Sequence, residues 1–327
     1  MTNSQPRPRW EPAALQVIQQ AVAVLGKWAG FDLSSIFNVP EDSDEVIKAK
    51  ELLGWPEETS QEDDELLKPL RLLFDRVHLE KQSSDNSQRE EHYWPAIAIA
   101  DEEPEIPYTQ GERSTPEKLE ELKVSVKSAL ESLNAEDGQN LSLLGLILEK
   151  FCSYLSWGQP DVALADMARS TGAVAAALAY NPDAKKLSLI AGDLSGIQKF
   201  IYTISSDGAL KSLRARSFYL QLVVEEVVQQ LLEALELPRT NVIYAGGGNL
   251  YLLAPAREET KTAVNQVRQQ FNQWLWEEFQ GKIFLALDCF EFESKDVSGS
   301  GFAEHWSNVT ERLAQQKFRK FIDQLDK

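Results

Sequence analysis

The sequence predicts an α+β chain in which a mostly helical N-terminal portion precedes a β-α-β-β-α-β unit. Three observations carry this reading. Apolar residues recur at helical spacing up to Tyr180. After Asn181–Pro182, short β-rich runs alternate with two long amphipathic helices. Two of those runs flank a glycine-rich turn, which is the pattern of a hairpin. With 327 residues, 43% hydrophobic and 26% charged, the chain is long enough for two domains and is neither disordered nor fibrous in composition.

In the N-terminal half, Ala14–Ala29 places apolar residues at 15, 18, 22 and 25 on one helical face, with Pro12 near the start where a missing N–H costs little. Glu41–Glu65 reads as a charge-dense connector, and Leu66–Val77 is apolar enough to pack. Lys81–Gln88 is polar, and Pro95, Pro104 and Pro107 keep residues 95–116 extended or looped. Helices are predicted over Pro116–Leu133, Ser142–Tyr154 and the alanine-rich Ala163–Tyr180, whose small side chains suit close packing.

In the C-terminal half, Leu187–Ala191 is a short strand running into Gly192-Asp193-Leu194-Ser195-Gly196-Ile197-Gln198. Ser195 and Gln198 have capping-box spacing, so a helix is predicted from there through Tyr202. Gly208 and the basic run to Arg216 read as a loop. Ser217–Glu236 is an amphipathic helix with Leu220, Val224, Val227, Val228, Leu231, Leu232 and Leu235 on one face. Thr240–Tyr244, the turn Ala245–Asn249 and Leu250–Ala254 form the hairpin, Thr260–Phe279 a second helix, Ile283–Phe292 the last strand and Trp306–Leu325 a terminal helix. This order is the ferredoxin-like arrangement, shared by the palms of many polymerases and nucleotidyl cyclases. The expected domains are a helical one over 1–180 and a palm over 181–327.

Net charge is −18, divided unevenly: residues 1–150 carry 30 acidic and 15 basic side chains, residues 151–327 carry 21 and 18. A uniformly basic nucleic-acid binder is excluded. One window, Lys185–Arg216, is locally positive and makes Lys199, Lys211, Arg214 and Arg216 candidates for phosphate or RNA contact, against the plainer reading of a solvated loop. No apolar stretch approaches the ~20 residues of a transmembrane helix. Cys152 and Cys289 form no C-x-x-C, and no secretory signal is visible, so a cytoplasmic location without membrane association is expected.

A catalytic palm holds two metal ions with carboxylates at the end of its first strand and on its hairpin turn. Here Asp193 occupies the first position, but Tyr244-Ala245-Gly246-Gly247-Gly248-Asn249 has no carboxylate. Such a palm should be catalytically dead by itself, and Asp193 then reads as a structural turn residue. The glycines allow backbone to approach a ligand and a helix start offers N–H groups to an anion. Taken alone, these residues are read more simply as a tight turn and a capped helix. His78, His92 and His305 are isolated in sequence and read as packing or surface residues; Trp274 and Trp276 read as core or interface.

Two segments go further than palm features. AGDLSGIQKFIYTISSDGALKSLRAR at Ala191–Arg216, followed by SFYLQL, and NVIYAGGGNLYLLAP at Asn241–Pro255 resemble the first palm domain of the large polymerase/cyclase-like subunit of type III CRISPR–Cas effector complexes. Asp161–Ala179, Leu67–Val77 and Trp306–Phe321 resemble flanking segments of the same family, so the resemblance covers nearly the whole chain. It implies an antiviral, RNA-guided effector subunit whose full-length relatives make cyclic oligoadenylates from ATP bound between two palms, many with an N-terminal HD nuclease. Carried over by position, it makes Asp193, Ser195, Gly196, Gly246, Gly247, Gly248 and Asn249 candidates for the nucleotide-facing surface.

The chain departs from that pattern. Ala21–Gly30 reads AVAVLGKWAG where an HD pair would stand, Met167 occupies a position where the family often has histidine, and the zinc element between palms and the Gly-Gly-Asp-Asp palm are missing. The expectation is a non-catalytic first palm with a degenerate N-terminal domain. It would be a split chain or the N-terminal portion of a longer one. It would dock a second palm, share ATP with it, and depend on that palm for Mg or Mn. Its partners would be other type III effector subunits, with CRISPR RNA and target RNA met through the complex. The rivals are an active cyclase, which needs hairpin carboxylates, and a scaffold that never touches nucleotide.

Overall fold

A computed structural model describes residues 10–39, 41–56, 66–76, 91–99, 115–202 and 209–322. The chain divides into two compact units, one of Pro12–Gly172 and the other chiefly of Ala173 onward, the boundary falling inside a helix.

In the first unit, α1 (Trp10–Trp28) is buried around most of its circumference. Its two buried glutamines donate to backbone: Gln16 Nε2 to the Glu41 carbonyl at 2.6 Å and Gln19 Nε2 to the Gly138 carbonyl at 2.8 Å. Charge density conceals α2 (Asp44–Leu53) within the predicted connector. Asp44 and Glu45 lie in its first turn and Lys50 in its last, complementing the helix dipole, and Gly54 ends it at φ 65°. Only Val46 and Ala49 bury a face. Of the apolar segment Leu66–Val77, residues 66–76 are described and form no α-helix. Leu67 is buried, β1 (Lys68–Pro69) pairs antiparallel with β2 (Leu155–Ser156), and Leu73 and Phe74 are exposed on a 3₁₀ turn. α3 (Pro116–Glu131) starts at the Thr115 cap and α4 (Leu141–Cys152) at the Asn140 cap. α5 (Leu164–Leu178) carries the unit boundary. Lys81–Gln88 and residues 100–114 lie outside the described residues.

The second unit is the α+β half. Its strands are β3 (Lys186–Ser195), β4 (Val242–Gly246), β5 (Asn249–Pro255) and β6 (Phe284–Glu293), ordered β4-β5-β3-β6 and antiparallel throughout. With α6 (Ile197–Tyr202), α7 (Ala209–Leu235) and α8 (Glu258–Phe279), this is the ferredoxin-like βαββαβ topology. Ile190, Leu194, Leu250, Leu252, Leu285 and Leu287 pack with the apolar stripes of α7 and α8. The opposite face is taken by α9 (Ser300–Phe318): Trp306 stacks on Tyr251 at 3.8 Å between ring centroids, and Phe302 meets Phe292 edge-on.

Two sequence expectations need correction here. The basic run ending at Arg216 is helical from Ala209, forming the first turns of α7; residues 203–208, including Gly208, lie outside the described residues. The hairpin turn is not five residues but two, because β4 and β5 pair up to Gly246↔Asn249.

The outer edge of β6 is closed by side chains. Asn272, on α8 and buried, donates to the Leu285 carbonyl and accepts from the Leu285 N–H, both at 2.9 Å. Gln316, on α9, does the same for Leu287 at 3.1 and 3.0 Å, and Arg312 Nη1 donates to the Cys289 carbonyl at 3.1 Å. An edge strand normally leaves this row of groups unpaired.

Both cysteines are buried and free. Burial pushes the Cys289 thiol up to about 11, and that of Cys152 further still. Thiolate is the reactive form. Ellman's reagent at pH 8 should therefore titrate neither thiol in the native protein and both after denaturation, a difference read directly by absorbance. None of the described helices is long and apolar enough to cross a membrane.

Candidate functional site

The candidate residues converge at one end of the sheet because three tight backbone contacts put them there. The Gly247-Gly248 turn has φ of 59° and 91°, the sign pattern of a type I′ turn, whose twist matches that of the flanking strands. The Gly248 carbonyl accepts from the Leu194 N–H at 2.7 Å, pinning the hairpin tip to the end of β3. A Cβ on Gly248 would lie 2.3 Å from Ile197 Cδ1, so the tip also rests against the start of α6. Gly196, at φ 94°, makes the β3–α6 corner; a Cβ there would stand 2.0 Å from the Lys282 carbonyl oxygen. Gly247 is exposed, with nothing within 4 Å of its Cβ position, leaving the turn backbone open to a ligand.

Asp193 sits opposite Asn249 in the β3–β5 register. It lies inside the strand rather than in a turn, correcting the sequence reading of it as a turn residue. Its carboxylate forms a short ion pair with Lys317 of α9, the two side chains 28% and 32% exposed. The partner is 124 residues away, and no sequence signal identified it. Ser195 also departs from expectation. It is the last residue of β3, its Oγ is buried with no hydrogen-bond partner, and so the predicted capping box is not formed. Gly196 precedes the helix instead, its carbonyl accepting from the Phe200 N–H at 3.0 Å. Gly246 lies at the end of β4 beside Tyr244.

The four basic candidates do not form one cluster of like role. Arg216 Nη1 donates to the Phe200 carbonyl at 2.6 Å and its guanidinium lies 5.1 Å from the Phe200 ring centroid, so it ties α6 to α7. Lys199, Lys211 and Arg214 are exposed. Among the described residues, no group of three or more His, Cys, Asp or Glu side chains is placed to hold a metal ion. His92 pairs with Asp75 at 3.1 Å and His305 packs on Phe292; His78 lies outside the described residues. Trp274 and Trp276 are 36% and 42% exposed.

The end of this sheet thus offers a ligand backbone groups and one carboxylate already paired with lysine, while the unpartnered Ser195 hydroxyl lies buried beside them. Residues 186–327 match the family model described as Csm1 subunit domain B. Over this domain the chain resembles the Cas10/Csm1 family. The Cas10/Csm1 protein of Mycobacterium tuberculosis, described as a single-strand-specific deoxyribonuclease of subtype III-A, is 34% identical over 197 residues, which are 53% of this chain and 24% of that protein. Its counterpart from Methanocaldococcus jannaschii is 32% identical over 212 residues, 53% of this chain and 26% of the relative. The chain therefore spans about a quarter of these relatives' length. Among solved structures, a Csm1–Csm4 cassette in complex with one ATP superposes with a TM-score of 0.66 at 26% identity, covering 85% of this chain and 37% of that one. A Csm1–Csm4 subcomplex of the type III-A interference complex reaches a TM-score of 0.73 over 96% of this chain and 49% of its own; at 22% identity it speaks for the Cas10/Csm1 fold alone.

Proposed function

We propose that this chain works as a non-catalytic palm half within a type III-A CRISPR effector, docking a second palm and holding one side of an ATP molecule used for cyclic oligoadenylate synthesis. The observation that carries the reading is the pairing across the end of the sheet. The one carboxylate, Asp193, is neutralised by Lys317, and the hairpin residue facing it is Asn249. Such a donor set does not fit a metal pair, so Mg or Mn belongs to the partner palm. It does fit a nucleotide held by backbone: Gly246, Gly247, Gly248 and Asn249 on the hairpin, with Asp193, Ser195 and Gly196 beside them. Lys199, Lys211 and Arg214 are exposed cations within reach of the same sequence segment.

An exposed apolar stripe on α7 supports the docking part. Leu210, Phe218 and Leu222 are 63%, 65% and 50% exposed and lie at multiples of four residues, on one helical face. A Csm4-type subunit, CRISPR RNA and target RNA would be met through the assembled complex.

The test mixes this chain with ATP and Mg²⁺, with and without a chain bearing a Gly-Gly-Asp-Asp palm. Cyclic oligoadenylate should form only with the second chain. Gly247→Phe should weaken ATP binding by the pair at least tenfold. Synthesis by this chain alone, or unchanged ATP affinity in that variant, would refute the reading.

A further inference from the structure

A second charged feature lies at the opposite edge of the same sheet. Between α8 and α9, along the outer edge of β6, runs a cleft of about 670 Å³. Arg268, Arg312 and Arg319 line it against one carboxylate, Asp288, which already accepts from the Cys289 N–H at 2.8 Å. Three arginines and a single carboxylate lining one cleft are unexpected in a chain of net charge −18. They make this an anion site by charge.

The ligand class follows from what the cleft can and cannot bond. Its floor cannot add a peptide strand, because Asn272 and Gln316 have taken both backbone groups of Leu285 and Leu287. What remains is guanidinium. Arg312 spends one N–H on the Cys289 carbonyl and rests over Phe290, leaving further donors of its fork, and Arg319 stands exposed on the turn after α9. Planar forks of this kind match phosphate oxygens. Beside them Phe318 is 90% exposed among the described residues, and the volume is ample for more than a phosphate group. Cations beside an exposed ring are the pairing that holds a single strand: phosphodiester on the forks, an unstacked base on the ring.

We propose that this cleft binds single-stranded nucleic acid, with Arg312 and Arg319 on the phosphates and Phe318 under a base. The site is independent of the hairpin and does not rest on the palm reading.

The experiment is fluorescence anisotropy of the full chain with labelled ten-nucleotide RNA and with DNA of the same sequence, across a salt series. Both variants are first checked by circular dichroism. Arg312→Ala/Arg319→Ala should lower affinity at least tenfold. It should also flatten the plot of log affinity against log salt by about 0.7 for each phosphate that is no longer neutralised. Phe318→Ala, at a fully solvated position, should weaken binding about fivefold or more without changing that slope. RNA bound more tightly than DNA would assign the ligand to RNA, and equal affinity would assign recognition to phosphate and base alone; either supports the site. The proposal fails if neither oligonucleotide binds in the micromolar range, if the variants bind like the parent, or if polyglutamate competes equally well and Phe318→Ala has no effect.

Discussion

Gly196→Ala is expected to cost the second unit about 3 kcal/mol or more and to lower its melting temperature by roughly 6–12 °C. Two penalties add. The residue sits at φ 94°, where an L side chain is strained, and its new methyl would stand 2.0 Å from the Lys282 carbonyl oxygen, which is backbone and cannot rotate away. Relief requires the β3–α6 corner to lift off the segment that enters β6, which displaces Ile197 from beneath the hairpin tip. Gly247→Ala is the control. It shares the positive φ but meets nothing within 4 Å, so only about 1 kcal/mol of backbone strain is expected. Differential scanning calorimetry of the pair separates the two contributions. Equal melting temperatures would mean that the corner carries no packing load.

Asn272→Ala is expected to be nearly as damaging, at about 2–4 kcal/mol. The side chain is 3% exposed and its amide satisfies both backbone groups of Leu285. Truncation removes two hydrogen bonds and leaves a buried N–H and a buried carbonyl with no replacement, which is the costly way to lose a hydrogen bond. Gln316→Ala removes the matching pair at Leu287 from a half-buried position, where water can substitute, so its cost should be under half as large. Urea titration gives both values, and amide exchange at Leu285 should accelerate in the first variant only. A loss for Asn272→Ala no greater than for Gln316→Ala would show that the Leu285 groups find other partners.

Much of this architecture was legible in the sequence, for identifiable reasons. The buried stripe of α7 is written as a helical period, β3 and β5 as short unbroken apolar runs beside glycine, and residues 187–255 carry the family resemblance. What escaped was what period does not encode. α2 buries only Val46 and Ala49, too few to stand out among the surrounding acids. The first turns of α7 carry Lys211, Arg214 and Arg216 and resemble a loop by charge, although nothing in them breaks a helix. Ser195 and Gln198 had the spacing of a capping box, but the strand continues through Ser195 to complete its pairing with Phe284. The candidate site was legible as a set of glycines and one acid. Its electrostatics were not, because Lys317 reaches Asp193 from the far end of the chain.

The position of α9 limits how anything can reach this palm. A four-stranded sheet with both helices on one side ordinarily keeps its other face bare, and in many such folds that bare face is the working surface on which rings stack. Here the place is filled from within: Trp306 lies flat on Tyr251 of the central strands, and Phe302 and His305 cover Phe292. The chain supplies its own stacked ring where a visitor's would go. Both faces of the sheet are thus covered by the chain's own helices, and each rim has its own chemistry: glycine backbone at one, arginine at the other.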